Sequence, residues 1–128
     1  MDIVKAVRAV LIVDETVIGI VSNRIWSHWP RTDDSPCVFI EVDSSEEQNY
    51  LDTGASDGVI SSIVVTARSE SEVTTESLRD AIKSCLAGYS GTFEAVLESA
   101  AMAATPKEEG STAHWYDCVL DFSILWSE

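Results

Sequence analysis

The chain predicts an α+β domain: an antiparallel or mixed four-stranded sheet packed against two helices, in the order helix, strand, strand, helix, strand, strand. Three observations predict it. Near the end, Cys118, Leu120, Phe122, Ile124 and Trp126 alternate with Asp121 and Ser123, the period of two that marks a strand with one buried face. Leu78, Ala81, Ile82, Cys85 and Leu86 recur at i, i+3, i+4, i+7 and i+8, which aligns them in one stripe along a helix. No internal repeat, low-complexity tract or long linker divides the 128 residues, so residues 1–128 read as one domain around one core.

Each element follows in turn. Over 2–13, Ile3, Val7, Val10 and Leu11 share a helical face while Lys5 and Arg8 lie off it; the β-branched content keeps a strand open as the alternative. Asp14 and Glu15 then break the apolar run, and a short patch, 17–21, leads into Asn23, Arg24, Ile25 and Trp26. Residues 27–36 are polar and contain Pro30 and Pro36, which predicts a loop. Residues 37–42 form the first strand, with Val38, Ile40 and Val42 on one face.

The acidic stretch 43–58 is either a long hairpin connection or a pair of strand extensions. Residues 59–68 pair antiparallel with the first strand because the two are close in sequence. For the helix that follows, Ser69 and Glu72 fit a capping box, Thr74 is a second candidate start, and Gly88 supplies the stop. Residues 93–104 are the third strand, their alanines leaving a helical reading open, and a polar turn over 106–112 leads into the last.

Charge narrows the function classes. Eight Lys and Arg stand against 22 Asp and Glu, a formal charge of -14, which repels phosphate and argues against sequence-specific duplex binding. The charge is also uneven. No Lys or Arg falls between Thr32 and Ala67, whereas Asp33, Asp34, Glu41, Asp43, Glu46, Glu47, Asp52 and Asp57 do; Lys5, Arg8, Arg24 and Arg31 gather near the start. Kept apart by the fold, these groups polarise the surface for stacking on a partner. Cys37, Cys85 and Cys118 are odd in number, far apart and set in apolar runs, as buried free thiols in a reducing compartment are. The start shows no signal peptide, and no apolar run nears the roughly 20 residues of a membrane helix. The expectation is a chain made in the cytoplasm, with no membrane association.

Catalytic and cofactor motifs are not found. His28 and His114 each neighbour Trp, an arrangement that favours packing over general-base work. His114 and Cys118, four apart on a strand, stand roughly 13 Å apart, too far to share one zinc ion. There is no phosphate-binding glycine loop, no nucleophile elbow and no calcium-loop pattern. No enzyme, cofactor or metal is therefore expected. The four Trp say more. Trp126 fits the core, while Trp26 and Trp29, beside a proline-containing loop and flanked by Arg24 and Arg31, are the candidate interface.

The order of features then resembles a known family. The short N-terminal helix ends near Asp14 and is followed by Asn23-Arg24-Ile25-Trp26 and Pro30. The strand Pro36-Cys37-Val38-Phe39-Ile40 comes next, and Ile63-Val64-Val65-Thr66-Ala67-Arg68-Ser69 runs into a helix ending Cys85-Leu86-Ala87-Gly88. Leu120-Asp121-Phe122-Ser123-Ile124-Leu125-Trp126 closes the chain. This resembles the tail-terminator, or tail-completion, proteins of long-tailed bacteriophages over nearly its whole length, through soft patterns of apolar and turn residues.

The resemblance implies a virion protein: a ring, usually a hexamer, at the head-proximal end of the tail. Such a ring ends tail-tube growth, meets the tail-tube protein and the head-tail connector protein, and passes genomic DNA through its lumen without specific binding. It implies no catalytic residues. Asp43, Glu46, Glu47, Asp52 and Asp57 are then the candidate acidic loop facing the lumen or the neighbouring subunit. The long acidic segment departs from the family's softer pattern. A reading from another class is an acidic, DNA-mimicking regulatory module that fills a basic protein cleft. A small hydrolase or isomerase acting through two carboxylates is a third.

Overall fold

The computed structural model describes residues 2–27, 35–49, 56–107, 109, 110 and 112–126; along 44–49, 56 and 57 it describes the backbone. The chain folds as α1 (Ile3–Ile12), α2 (Glu15–Val21), β1 (Ile25–Trp26), β2 (Cys37–Asn49), β3 (Ser56–Ser69), α3 (Glu72–Leu86), β4 (Phe93–Pro106) and β5 (His114–Trp126). The α+β class is as the sequence predicts. The count is not: one five-stranded sheet in the order β1-β2-β3-β5-β4 carries three helices, in place of four strands and two helices.

Both additional elements are short. The 17–21 patch is helix α2 because the Asp14 carboxylate accepts from the N–H groups of Thr16 and Val17, capping a turn that buries Val17 and Val21. Seven residues are too few for helical periodicity to stand out. β1 is two residues that pair parallel with Val38 and Phe39.

The acidic stretch resolves in favour of strand extensions where it is described. β2 continues to Asn49 and β3 begins at Ser56, paired from Cys37↔Arg68 to Asn49↔Ser56 through a register shift between Val42 and Ser44. Ahead of that bulge Val42 keeps the face of buried Val38 and Ile40, opposite buried Ile63, yet is itself exposed. All pairings beyond β1 are antiparallel.

At α3 the cap is Ser71, whose hydroxyl accepts from the Thr74 N–H; Ser69 is not the cap. Ser69 Oγ instead lies 2.6 Å from Thr75 Oγ1, which donates to the Tyr116 carbonyl at 2.8 Å and ties the helix start to β5. The helix ends at Leu86 with Ala87 as its cap, and Gly88 at φ +79° takes the left-handed conformation that glycine adopts without a Cβ penalty.

The helices lie on one face of the sheet. Ile3, Val7 and Leu11 from α1, Val17 and Val21 from α2, and Leu78, Ala81, Ile82 and Leu86 from α3 meet Val38, Ile40, Ile63, Val65, Leu120, Phe122 and Ile124. Trp126 joins this core at 9% exposure and donates its indole N–H to buried Ser61 Oγ at 2.9 Å. That hydrogen bond is what lets an indole be buried.

Candidate assembly surface

Alternation fixes what the opposite, helix-free face holds. Across it run Cys37, Phe39 and Glu41 of β2, Val64, Thr66 and Arg68 of β3, Asp117, Val119, Asp121 and Leu125 of β5, and Glu94 and Val96 of β4. This face has a closed end and an open end.

At the closed end, Phe39 and Cys37 are fully buried although neither belongs to the core under the helices. The Arg68 guanidinium lies 5.6 Å from the Phe39 ring centroid and 5.2 Å from that of Trp115. Asp117 fixes it there, accepting from Nε at 2.8 Å and Nη2 at 2.9 Å. The paired hydrogen bonds to Asp117, chief among the causes, raise the Arg68 pKa, so the cation is permanent. Lys107 Nζ continues the ladder 4.3 Å from the Trp115 centroid and pairs with Glu70 at 2.6 Å. The two cations thus each have an acid, and the cluster is a staple across β2, β3 and β5.

At the open end no described element covers the face. Val96 is 57% exposed, Leu125 43% and Ile60 38%, and Ile60 is the register partner of Leu125. Beside them the Ser99 hydroxyl donates to Asp121 Oδ2 at 2.8 Å. β4 is the barest element: Phe93 and Ala95 are buried, but every residue from Glu98 to Pro106 is exposed.

The predicted site residues fall into two separate groups. Arg24 and Trp26 are half-buried at the closed end; Arg24 Nε donates to the Pro36 carbonyl at 2.8 Å, so it braces the chain leading into β2. Trp29 and Arg31 lie outside the described residues. Asp43 is exposed in β2, and Glu46, Glu47 and Asp57 occupy strand positions, Glu46 opposite Ile60 and Glu47 opposite Val59; Asp52 lies outside the described residues. The described part of the acidic segment is therefore strand, not loop, because its polar residues still satisfy their backbone groups in a ladder. Arg8 likewise braces, its Nε donating to the Ile25 carbonyl at 2.8 Å. The N-terminal basic group is accordingly partly spent inside the fold.

Sequence reasoning missed the Arg68–Asp117 pair and the stretch of the β4 edge, 97–105, that no described strand covers. Arg68 offered a weak signal, a cation ending an apolar strand. No disulfide joins the thiols, Cys37 and Cys118 being buried and Cys85 half-buried. Burial, then the charge of Asp14, pushes Cys85 up to about 11, and burial raises Cys118, so neither is a thiolate at neutral pH. The described surface has shallow hollows, one lined by Glu72, Met102, Ala103, Ala104 and Tyr116. Among the described residues no His, Cys, Asp and Glu cluster could hold a metal, and no helix is long and apolar enough to cross a membrane.

No protein-family model matches the chain, and no curated protein matches it. Its fold does have a counterpart. A chain of the solved structure described as the virion of a native gene transfer agent (GTA) particle is similar to it, with a TM-score of 0.61 at 13% identity, covering 98% of this chain and 99% of that one.

Proposed function

We propose that this chain is a structural virion subunit that assembles with copies of itself and with other virion proteins, and has no catalytic role. The observation that carries the reading is the end-to-end likeness of its fold to a chain of a gene transfer agent virion particle. The surface supports it: among the described residues one end of a sheet face and stretches of both sheet edges are uncovered, which suits a protein that completes its burial against neighbours.

The finer reading is a tail terminator. Copies form a ring, hexameric in the family that the sequence resembles, at the head-proximal end of a phage tail; the ring ends tube growth and joins the tail-tube protein to the head connector. The acidic segment with Asp43, Glu46, Glu47, Asp52 and Asp57 faces the lumen or the next subunit, and genomic DNA passes it without being held, because like charge repels phosphate. Arg24 and Trp26, at the other end of β2, contribute to a contact with a neighbour, together with Trp29 and Arg31.

Purified protein mixed with tail-tube protein and imaged in negative stain tests this reading: rings capping tube ends are expected. Tubes of unregulated length with free monomer beside them count against it. Recovery of a nucleic-acid-binding host protein in place of virion proteins would favour the DNA-mimic reading. Neutralising Glu46, Glu47, Asp52 and Asp57 together is expected to impair DNA ejection; unchanged infectivity and ejection remove the lumen role.

A further inference from the structure

We infer that copies of this chain join head to tail by backbone pairing, the outer edge of β4 in one copy against the outer edge of β2 in the next. The inference rests on the self-assembly reading above and names its interface.

β4 is the last strand of the sheet. Its first residues are covered by the preceding turn, since Gly88 N–H donates to the Ala95 carbonyl, Ala95 N–H to the Tyr89 carbonyl, and Gly91 N–H to the Phe93 carbonyl. Beyond them, along 97–105, no described strand lies outside β4 and the side chains are exposed on both faces, apart from half-buried Leu97. At the far side of the sheet, β1 covers β2 only at Val38 and Phe39. Along 41–49 no described strand lies outside β2. The two uncovered edges are equal in length.

Peptide groups along such edges are strong donors and acceptors, and isolated folds usually blunt them with charge, proline or brevity. On β4 the blunting devices only frame the edge: a register shift between Leu97 and Ser99 at one end and Pro106 at the other. Between them 99–105 carry no charge.

Strand direction selects the occupant. β2, β3, β5 and β4 alternate in direction, so β2 and β4 run oppositely. Rotation about an axis along the strands preserves direction, so β4 of one copy meets β2 of the next antiparallel, the same pairing that builds the rest of the sheet. Each copy supplies one edge of each kind, which makes the contact heterologous and able to close into a ring. Pairing of β2 with β2 would oppose Glu41, Asp43, Glu46 and Glu47 to one another. Pairing of β4 with β4 would stop at two copies.

Charge at exposed Ala101 on β4 tests this. Sedimentation velocity of the full chain, alone and with tail-tube protein, is compared for wild type, Ala101→Glu and Ala101→Lys, with circular dichroism confirming that each folds. The acidic β2 edge predicts association weakened roughly tenfold or more by the Glu variant and preserved or tightened by the Lys variant. Weakening by both variants overturns the inference in favour of β4 pairing with itself. No effect of either overturns it while leaving the ring reading intact, and a wild type that never self-associates overturns both. Amide hydrogen exchange gives a second readout: assembly is expected to protect 41–49 and 97–105 together, and protection of only one stretch contradicts the pairing.

Discussion

The two faces of one strand, β5, behave as if they belonged to different proteins. On one side Cys118, Leu120, Phe122 and Ile124 are buried beneath three helices; on the other Val119, Asp121, Ser123 and Leu125 stay half-buried or exposed. Both sides are largely uncharged, and hydrophobicity alone does not separate Leu120 from Leu125. What separates them is the supply of covering elements: α1, α2 and α3 all pack on the same face. The uncovered face divides again, closed by the Arg68–Asp117 staple at one end and bare around Ile60, Val96 and Leu125 at the other. A domain that builds its core on one face and leaves part of the second uncovered has surface to give to a neighbour.

Substitutions on the two sides should separate cleanly. The largest effect is expected under the helices: Phe122→Ala leaves a cavity in the closed core and should cost about 3–5 kcal/mol by denaturant unfolding. A loss below about 1 kcal/mol would mean that the helices do not seal this face. At the staple, Asp117→Ala strands the Arg68 guanidinium between Phe39 and Trp115 and should cost about 2 kcal/mol. Replacing the pair together by Met and Leu should recover most of that, since two apolar groups leave no unpaired charge; a double variant as unstable as the single would refute the pairing account.

A smaller effect comes from alkali. The folded Cys85 thiol is held up to about 11 from 9.0, chiefly by burial. Between those values the unfolded chain has lost the proton and the folded chain keeps it, so stability falls as pH rises through that window and is unaffected below it. Cys85→Ser should flatten this alkaline slope; an unchanged slope would assign it to other groups. Smallest of all, Leu125→Thr on the bare face should shift stability by less than about 0.5 kcal/mol. A larger loss would mean that the face is already covered within the single chain.

How much of this was readable from the residues follows from the same division. The covered face was legible because burial under helices imposes period on sequence: Cys118 through Trp126 show it in β5, and Leu78 through Leu86 in α3. Helix α2 was not, because it is short and rests on a cap, Asp14, that reads equally well as a break. The double-sided exposure of β4 was not, since Ala100 to Ala104 carry no strong preference between faces. The Arg68–Asp117 staple was out of reach, its members 49 residues apart and joined only by the β3–β5 register. By composition the acidic stretch reads equally as a connection or as strand extensions, and only backbone pairing decides between them where it is described.

The claim that these bare surfaces exist for assembly is tested most directly by imaging purified chain with tail-tube protein in negative stain. The account predicts closed rings of this chain seated on tube ends, and tubes that stop growing when it is added. Tubes that elongate unchecked, with this chain remaining a free monomer, would contradict it.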